Sequence, residues 1–212
     1  SRAYGEFVDA QVQRLGRQHP LIKSQLFSEE IDADGGMFDA GRRALMQGHH
    51  LWRETPQPDR IYAMLLDVAG EDEQSAQDDL ANASTMRNHT ALTIVEVDLA
   101  SLRNEAVKAP TYRTVWRREW VGTRHTAIHD ELVGIANHWA VRYLVADNTG
   151  VGAGLVSFLD KALPGRVMPF TFSRKTKSQL GWGFLALVET GRYREHKPIA
   201  NNTLQEAFWR QV

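Results

Sequence analysis

The sequence predicts an α/β domain, a mixed sheet with helices on both faces. Three strand-like segments follow one another from residue 60, and helix and strand then alternate to the end of the chain. Two of those strands run directly into an aspartate, a placement that bears on function as well as fold.

The first 58 residues read differently from the rest. Tyr4, Phe7, Val8, Val12 and Leu15 recur at helical spacing up to Gly16. Short apolar pieces, an acidic loop from Glu29 to Asp34 and the Gly35-Gly36 turn follow, and Gln57-Pro58-Asp59 closes the segment as a linker. The division expected is therefore a helical or irregular arm over 1–58 and a sheet domain over 59–212.

Ile61 to Leu66 is an apolar run that suits a strand buried on both faces. After the acidic stretch Gly70 to Asn88, Thr90 to Val97 is rich in Thr, Ile and Val and reads as its antiparallel partner. Tyr112 to Val121 alternates as a third strand, with Trp116 and Trp120 read mainly as core and Arg117 and Arg118 as a basic group beside them. A helix carries Ile128, Leu132, Ile135, Ala136 and Trp139 on one stripe, with Thr123 or Thr126 as its cap. Arg142 to Ala146 is a strand, Gly154 to Leu163 a helix stopped by Pro164-Gly165, and Val167 to Phe172 a strand. Ser173 caps a helix that Gly191 ends, with Leu180, Phe184, Leu187 and Val188 inward. Leu204 to Val212 reads as one more helix, and the expectation is that the native chain continues beyond it.

Composition narrows the function classes. There are no cysteines, which excludes disulfide frameworks and thiolate metal sites. No apolar run approaches the roughly 20 residues of a membrane span. The net charge of −1 gives no global basic excess, so any contact with nucleic acid has to come from local patches.

Asp67 ends the first strand in Leu65-Leu66-Asp67-Val68-Ala69-Gly70, and Asp147 ends the fourth in Val145-Ala146-Asp147-Asn148-Thr149-Gly150. A carboxylate at the carboxyl end of a central strand is costly to bury alone, and in α/β sheets that edge is where ligands bind. Should these strands be neighbours, the two carboxylates converge, and a divalent cation would remove their repulsion. Mg²⁺ suits oxygen donors, and two ions about 3.5–4 Å apart can drive phosphodiester hydrolysis. The competing reading is that each aspartate merely caps a turn.

Those two segments, with Phe172-Ser173-Arg174-Lys175-Thr176-Lys177-Ser178 in this order, resemble the nuclease domain of tailed-phage large terminase subunits over about residues 60–212. The arm is similar to the lid and linker that join the terminase ATPase domain to its nuclease. The resemblance implies a ribonuclease H-like fold and cleavage of concatemeric double-stranded viral DNA with Mg²⁺ or Mn²⁺, as two ions held by Asp67 and Asp147. It also implies the portal protein, the small terminase subunit and the chain's own ATPase domain as partners, and the cytoplasm of a bacterial host as the place of action. A resolvase- or transposase-like nuclease and an inactive DNA-clamping module are the alternatives.

The chain departs from the family pattern in three places. The family's further carboxylate, near the domain's carboxyl end, is not reached by Val212. An additional acid after the first strand is represented by Asp72, weighed against a solvated acidic turn; just ahead of the second strand stands Asn88-His89. No G-x-x-x-x-G-K-[ST] phosphate loop occurs, and Gly150, Gly152 and Gly154 read instead as letting backbone pass close to the acids and starting a helix.

Arg174, Lys175 and Lys177 crowd the amino end of a helix, where cations oppose the macrodipole. With the exposed backbone N–H groups they are expected to contact DNA phosphate. His89, His125, His129 and His138 form no ligand set and read as surface or capping residues, and His49-His50 as an exposed linker pair.

Overall fold

The computed structural model describes residues 8–9, 12–13, 37–68, 89–150 and 152–212. Most of the arm and the acidic stretch with Asp72 lie outside the described residues.

The central element is β1 (Ile61–Asp67). It pairs antiparallel with β2 (His89–Asp98), which pairs antiparallel with β3 (Thr111–Val121). On its other side β1 runs parallel to β4 (Tyr143–Asp147), and β4 runs parallel to β5 (Val167–Phe170). A short β6 (Tyr193–Arg194) lies parallel to β3, giving the order β5-β4-β1-β2-β3-β6. The mixed sheet expected from the strand order is therefore present. β6, two residues long, is too short to carry a periodic signal.

Helices cover the two faces unequally. On one face, α2 (His125–His138) and α3 (Gly152–Ala162) pack side by side over the main core, which contains Tyr62, Met64, Leu66, Leu92, Ile94, Ile128, Leu132, Leu144 and Leu159. On the other face, α1 (Ala40–Met46), α4 (Arg174–Glu189) and α5 (Thr203–Gln211) build a smaller cluster with Met46, Val188 and Tyr193 beside β3 and β6. β1 is consequently not buried on both faces. Tyr62, Met64 and Leu66 are buried, while Ile61 is 38 % and Leu65 42 % exposed, because the second layer sits over the β3–β6 side of the sheet. Among the described residues, no helix is long and apolar enough to cross a membrane.

Three local expectations are corrected. α2 is capped by Arg124 without a side-chain cap bond, rather than by Thr123 or Thr126. Leu180 is half exposed, whereas Val188 is buried with Phe184 and Leu187 packed against its cluster as expected, and Leu185 and Ala186 are buried as well. His50 is not an exposed linker residue: its Nε2 lies 2.7 Å from the Thr114 carbonyl oxygen, and burial pulls its pKa below the ordinary value. Residues around it, from Met37 to Gln57, dock along the domain. Asp39 caps α1 by accepting the Arg42 N–H, and Arg42 reaches Glu189 on α4 at 2.9 Å.

A bulge at Val115 sets the parity of β3. Ile94 pairs with Trp116 and Val95 with Thr114, so Val115 is the extra residue and turns into the main core. Thr114 and Arg117 thereby share the opposite face. There the Arg117 guanidinium grips buried Glu195 with two bonds of 2.6 and 2.7 Å, and the Tyr193 hydroxyl donates to Glu195 at 2.6 Å. Burial works against the Glu195 carboxylate, but Arg117 and Tyr193 together hold its carboxyl below the usual range. Arg117 is thus the inward member of the Arg117–Arg118 pair and a structural cation. Arg118 is paired with Glu131 at 2.5 Å.

Candidate metal centre

Parallel pairing of β1 with β4 runs Ala63–Tyr143, Met64–Leu144, Leu65–Val145 and Leu66–Ala146. The next step in that register is Asp67 beside Asp147. Both are one residue past a core-facing residue (Leu66 and Ala146), so both side chains emerge on the face away from the main core. Adjacent strands stand about 4.8 Å apart, which brings the carboxylates into mutual range.

Their electrostatics agree with the geometry. Asp67 is exposed and Asp147 half-buried. Desolvation by the atoms around it, then the charge of Asp147, push the Asp67 carboxyl above its ordinary value, and the Lys177 ammonium pulls the other way. The pair therefore carries repulsion that a cation would relieve. Two hard oxygen donors beside open solvent fit Mg²⁺ or Mn²⁺, which retain several waters as ligands. Among the described residues no group of three or more histidines or acids stands close enough together to hold a metal, so the pair alone forms the described donor set. Asp72 lies outside the described residues.

The chain around Asp147 is tightly fixed. Asp147 Oδ1 accepts the Thr149 N–H at 2.8 Å, Asn148 N–H donates to the Phe170 carbonyl at 2.8 Å, and Thr149 Oγ1 accepts the Phe172 N–H at 2.9 Å. The turn reverses through Gly150 at φ +59° and enters α3 at Gly152. A Cβ at Gly152 would stand 2.6 Å from the Asp147 carbonyl oxygen and 3.2 Å from Val68 Cβ, so only glycine lets the helix start against the site. Asp147 caps its turn and also faces Asp67; the two roles coexist, since Oδ1 is used locally and Oδ2 has no bond to another described residue.

Beyond Thr149, the β5–α4 connection carries the basic cluster to the same edge. Ser173 and Thr176 form a capping box, Ser173 Oγ accepting the Thr176 N–H at 3.1 Å and Thr176 Oγ1 accepting the Ser173 N–H at 2.7 Å. Arg174, Lys175 and Lys177 are exposed on this first turn. Lys177 Nζ lies 5.6 Å from the Phe172 ring centre and is the cation that Asp67 senses.

One further pair, His89 and Glu119, lies along this edge, and the sequence reads His89 as a surface or capping residue. Asp67 pairs with Ala91 on β2, and Ala91 with Glu119 on β3, so Asp147, Asp67, Ala91 and Glu119 form one row across the sheet. Registered partners share a face. His89, two residues before Ala91, shares it too, and its Nδ1 is hydrogen-bonded to Glu119 Oε1. Only the register brings these residues to the acids; 22 positions of sequence separate His89 from Asp67. His125, His129 and His138 stand in no group of three or more possible metal ligands among the described residues.

The order β5-β4-β1-β2-β3, with antiparallel β1–β2–β3, parallel β1–β4–β5 and an acid at the carboxyl ends of β1 and β4, defines a ribonuclease H-like α/β fold. Solved structures that share this fold include the nuclease domains of phage large terminases. The large terminase nuclease of thermophilic phage G20c with bound zinc superposes with a TM-score of 0.55 at 20 % identity, over 82 % of this chain and 87 % of that one. The same nuclease with bound magnesium gives 0.54 at 20 % identity, over 78 % and 76 %. The large terminase nuclease domain of Thermus phage P74-26 gives 0.51 at 16 % identity, over 80 % and 75 %. No protein-family model matches the sequence, and no curated protein does.

Proposed function

We propose that residues 59–212 are the endonuclease domain of a viral DNA-packaging terminase, cutting concatemeric double-stranded DNA, and that residues 1–58 belong to the arm leading from an ATPase domain. The observation that carries this reading is the convergence of Asp67 and Asp147 on adjoining parallel strands, on the open face, in the fold shared with terminase nucleases. The G20c nuclease has been solved with zinc, magnesium and cobalt, which supports a divalent ion at the equivalent edge here.

Asp67 and Asp147 would hold the divalent metal, Mg²⁺ or Mn²⁺. When bound, Mg²⁺ or Mn²⁺ supplies a nucleophilic water at neutral pH and stabilises the leaving oxygen. The protein's own part is positional. The Thr149 N–H fixes the Asp147 carboxylate, and Arg174, Lys175 and Lys177, with the free N–H groups of the first turn of α4, seat a phosphate beside the acids. Contacts of this kind place a duplex without reading its bases, so specificity falls to partners. By the family likeness these are the portal protein, the small terminase subunit and the ATPase domain, in the cytoplasm of a bacterial host.

Cleavage of supercoiled plasmid with Mg²⁺ or Mn²⁺ tests the reading. Cutting by the native chain, abolished by EDTA and lost in both Asp67→Ala and Asp147→Ala, is the expected result. Cutting that survives both substitutions contradicts it. DNA retained without any cutting favours an inactive clamp, the reading to which the two-acid donor set points if no further ligand joins it.

A further inference from the structure

We propose that the seam between the arm and α2 is a binding site for an arginine side chain carried by a partner protein, an inference independent of the metal pair. A depression of about 310 Å³ opens there, lined by Glu54 of the arm, Trp116 of β3, and Glu131, Gly134 and His138 of α2, with Trp139 buried behind them. It lies on the side of the sheet that α2 covers, whereas Asp67 and Asp147 emerge on the other.

Glu54 supplies the charge. Its Oε1 accepts the Trp52 indole N–H at 2.9 Å and its Oε2 the Trp116 indole N–H at 3.3 Å, so both oxygens are fixed in place. His138 Nε2–H donates to the Glu54 main-chain carbonyl at 3.0 Å and ties this part of the arm to α2. No cation pairs with the Glu54 carboxylate among the described residues, and its neighbour Arg53 turns away to buried Glu96. Glu131, the other acid of the lining, is already engaged by Arg118 at 2.5 Å and by the Trp120 indole at 2.8 Å. One fixed carboxylate without a counter-ion is left beside the depression.

The walls decide which cation fits. The Trp116 ring is half-buried, with the Trp139 ring centre 6.4 Å behind its own, and a tryptophan face attracts a cation through its quadrupole. Each Glu54 oxygen uses one lone-pair direction on an indole and keeps another for a ligand. A guanidinium matches both features, because its plane stacks on a ring while its fork of N–H groups reaches two oxygens; an ammonium is a point charge with no stacking plane. Gly134 keeps the entrance clear, since a Cβ there would meet nothing within 4 Å. The lining holds no Lys or Arg to receive an α-carboxylate, so the arginine it suits is one within a polypeptide rather than the free amino acid.

The test follows the indole N–H signals of the six tryptophans in ¹H–¹⁵N spectra as N-acetyl-arginine amide is added to the full chain. Expected are saturable shifts of the Trp52 and Trp116 signals, with those of Trp182 and Trp209 unmoved. N-acetyl-lysine amide and free arginine should bind the native chain more than about tenfold more weakly, and the arginine amide should bind Glu54→Gln more weakly by the same factor, the weight of one charge-assisted contact. Gly134→Leu fills the depression without altering Glu54 and should abolish the shifts, while native dispersion of the remaining indole signals shows that both variants are folded. Absence of any saturable shift in the native chain overturns the proposal. So does binding that survives both Glu54→Gln and Gly134→Leu. Free arginine bound as tightly as the amide overturns the assignment to a partner protein. Plasmid cleavage, which neither variant should change, reports separately on the nuclease reading.

Discussion

Replacing Gly152 by alanine tests how the fold positions Asp147. The added Cβ would sit 2.6 Å from the Asp147 carbonyl oxygen, and ordinary contact begins at 3.4 Å, so about 0.8 Å must be found by moving backbone. The obstacle is the main chain of the aspartate itself, and Val68 Cβ at 3.2 Å closes the other direction. Overpacking of this kind costs about 1–3 kcal/mol. For a domain of this size each kcal/mol lowers Tm by about 2–4 °C, so Gly152→Ala should melt about 2–12 °C below the native protein. A displacement of about 1 Å at a reacting centre costs on the order of 10²-fold in rate, and cleavage should fall accordingly. Gly154→Ala is the control, two residues along the same helix, where a Cβ meets nothing. Relieving the unfolded chain of glycine's freedom should there stabilise by about 0.4–1 kcal/mol, with cleavage unchanged. Thermal melts and plasmid cleavage of the two variants side by side decide the matter. Equal Tm and equal rates in both would refute the close approach of α3 to Asp147.

Two other predictions concern charge. Arg117→Ala leaves Glu195 buried without its partner and should cost about 3–5 kcal/mol in urea unfolding, while Arg117→Met with Glu195→Leu should recover most of that; a single-variant cost below about 1 kcal/mol contradicts the pair's structural role. Asp67 is held above its ordinary pKa, so without metal its contribution to stability is full below the unfolded value of 3.8 and is lost as pH rises through the folded value. In EDTA, Asp67→Asn should therefore melt above the native chain at pH 7, the gap closing as pH falls through the folded value, and a native chain that is the more stable at pH 7 without metal contradicts the crowding of the two acids.

The two acids were legible because an aspartate ending an apolar strand is a physical anomaly, and two such anomalies in one strand order restrict the topology. The strands and helices of the main core were legible from alternation and from helical stripes for the same reason: burial on one side leaves a period. What stayed hidden depends on long-range register. The one-sided exposure of β1 could not be read from Ile61 to Leu66, since an apolar run looks the same whether a second layer covers it or not. The bulge at Val115 leaves no mark in composition, yet it puts Thr114 beside Arg117, and nothing in the local sequence shows that Arg117 is the member of the Arg117–Arg118 pair that becomes the buried partner of Glu195, 78 positions away. β6 is held by pairing alone. His89 reads as a surface histidine until β2 is laid against β1 and β3.

Divalent-ion binding by the metal-free chain tests the central claim most directly, independently of any cutting. Mn²⁺ titration followed by calorimetry or electron paramagnetic resonance should show saturable binding by the native protein. It should weaken by more than about tenfold, roughly 1.4 kcal/mol, in both Asp67→Asn and Asp147→Asn, which keep the side-chain shape and remove the charge. Binding of equal strength in the native chain and both variants would contradict a metal centre between β1 and β4.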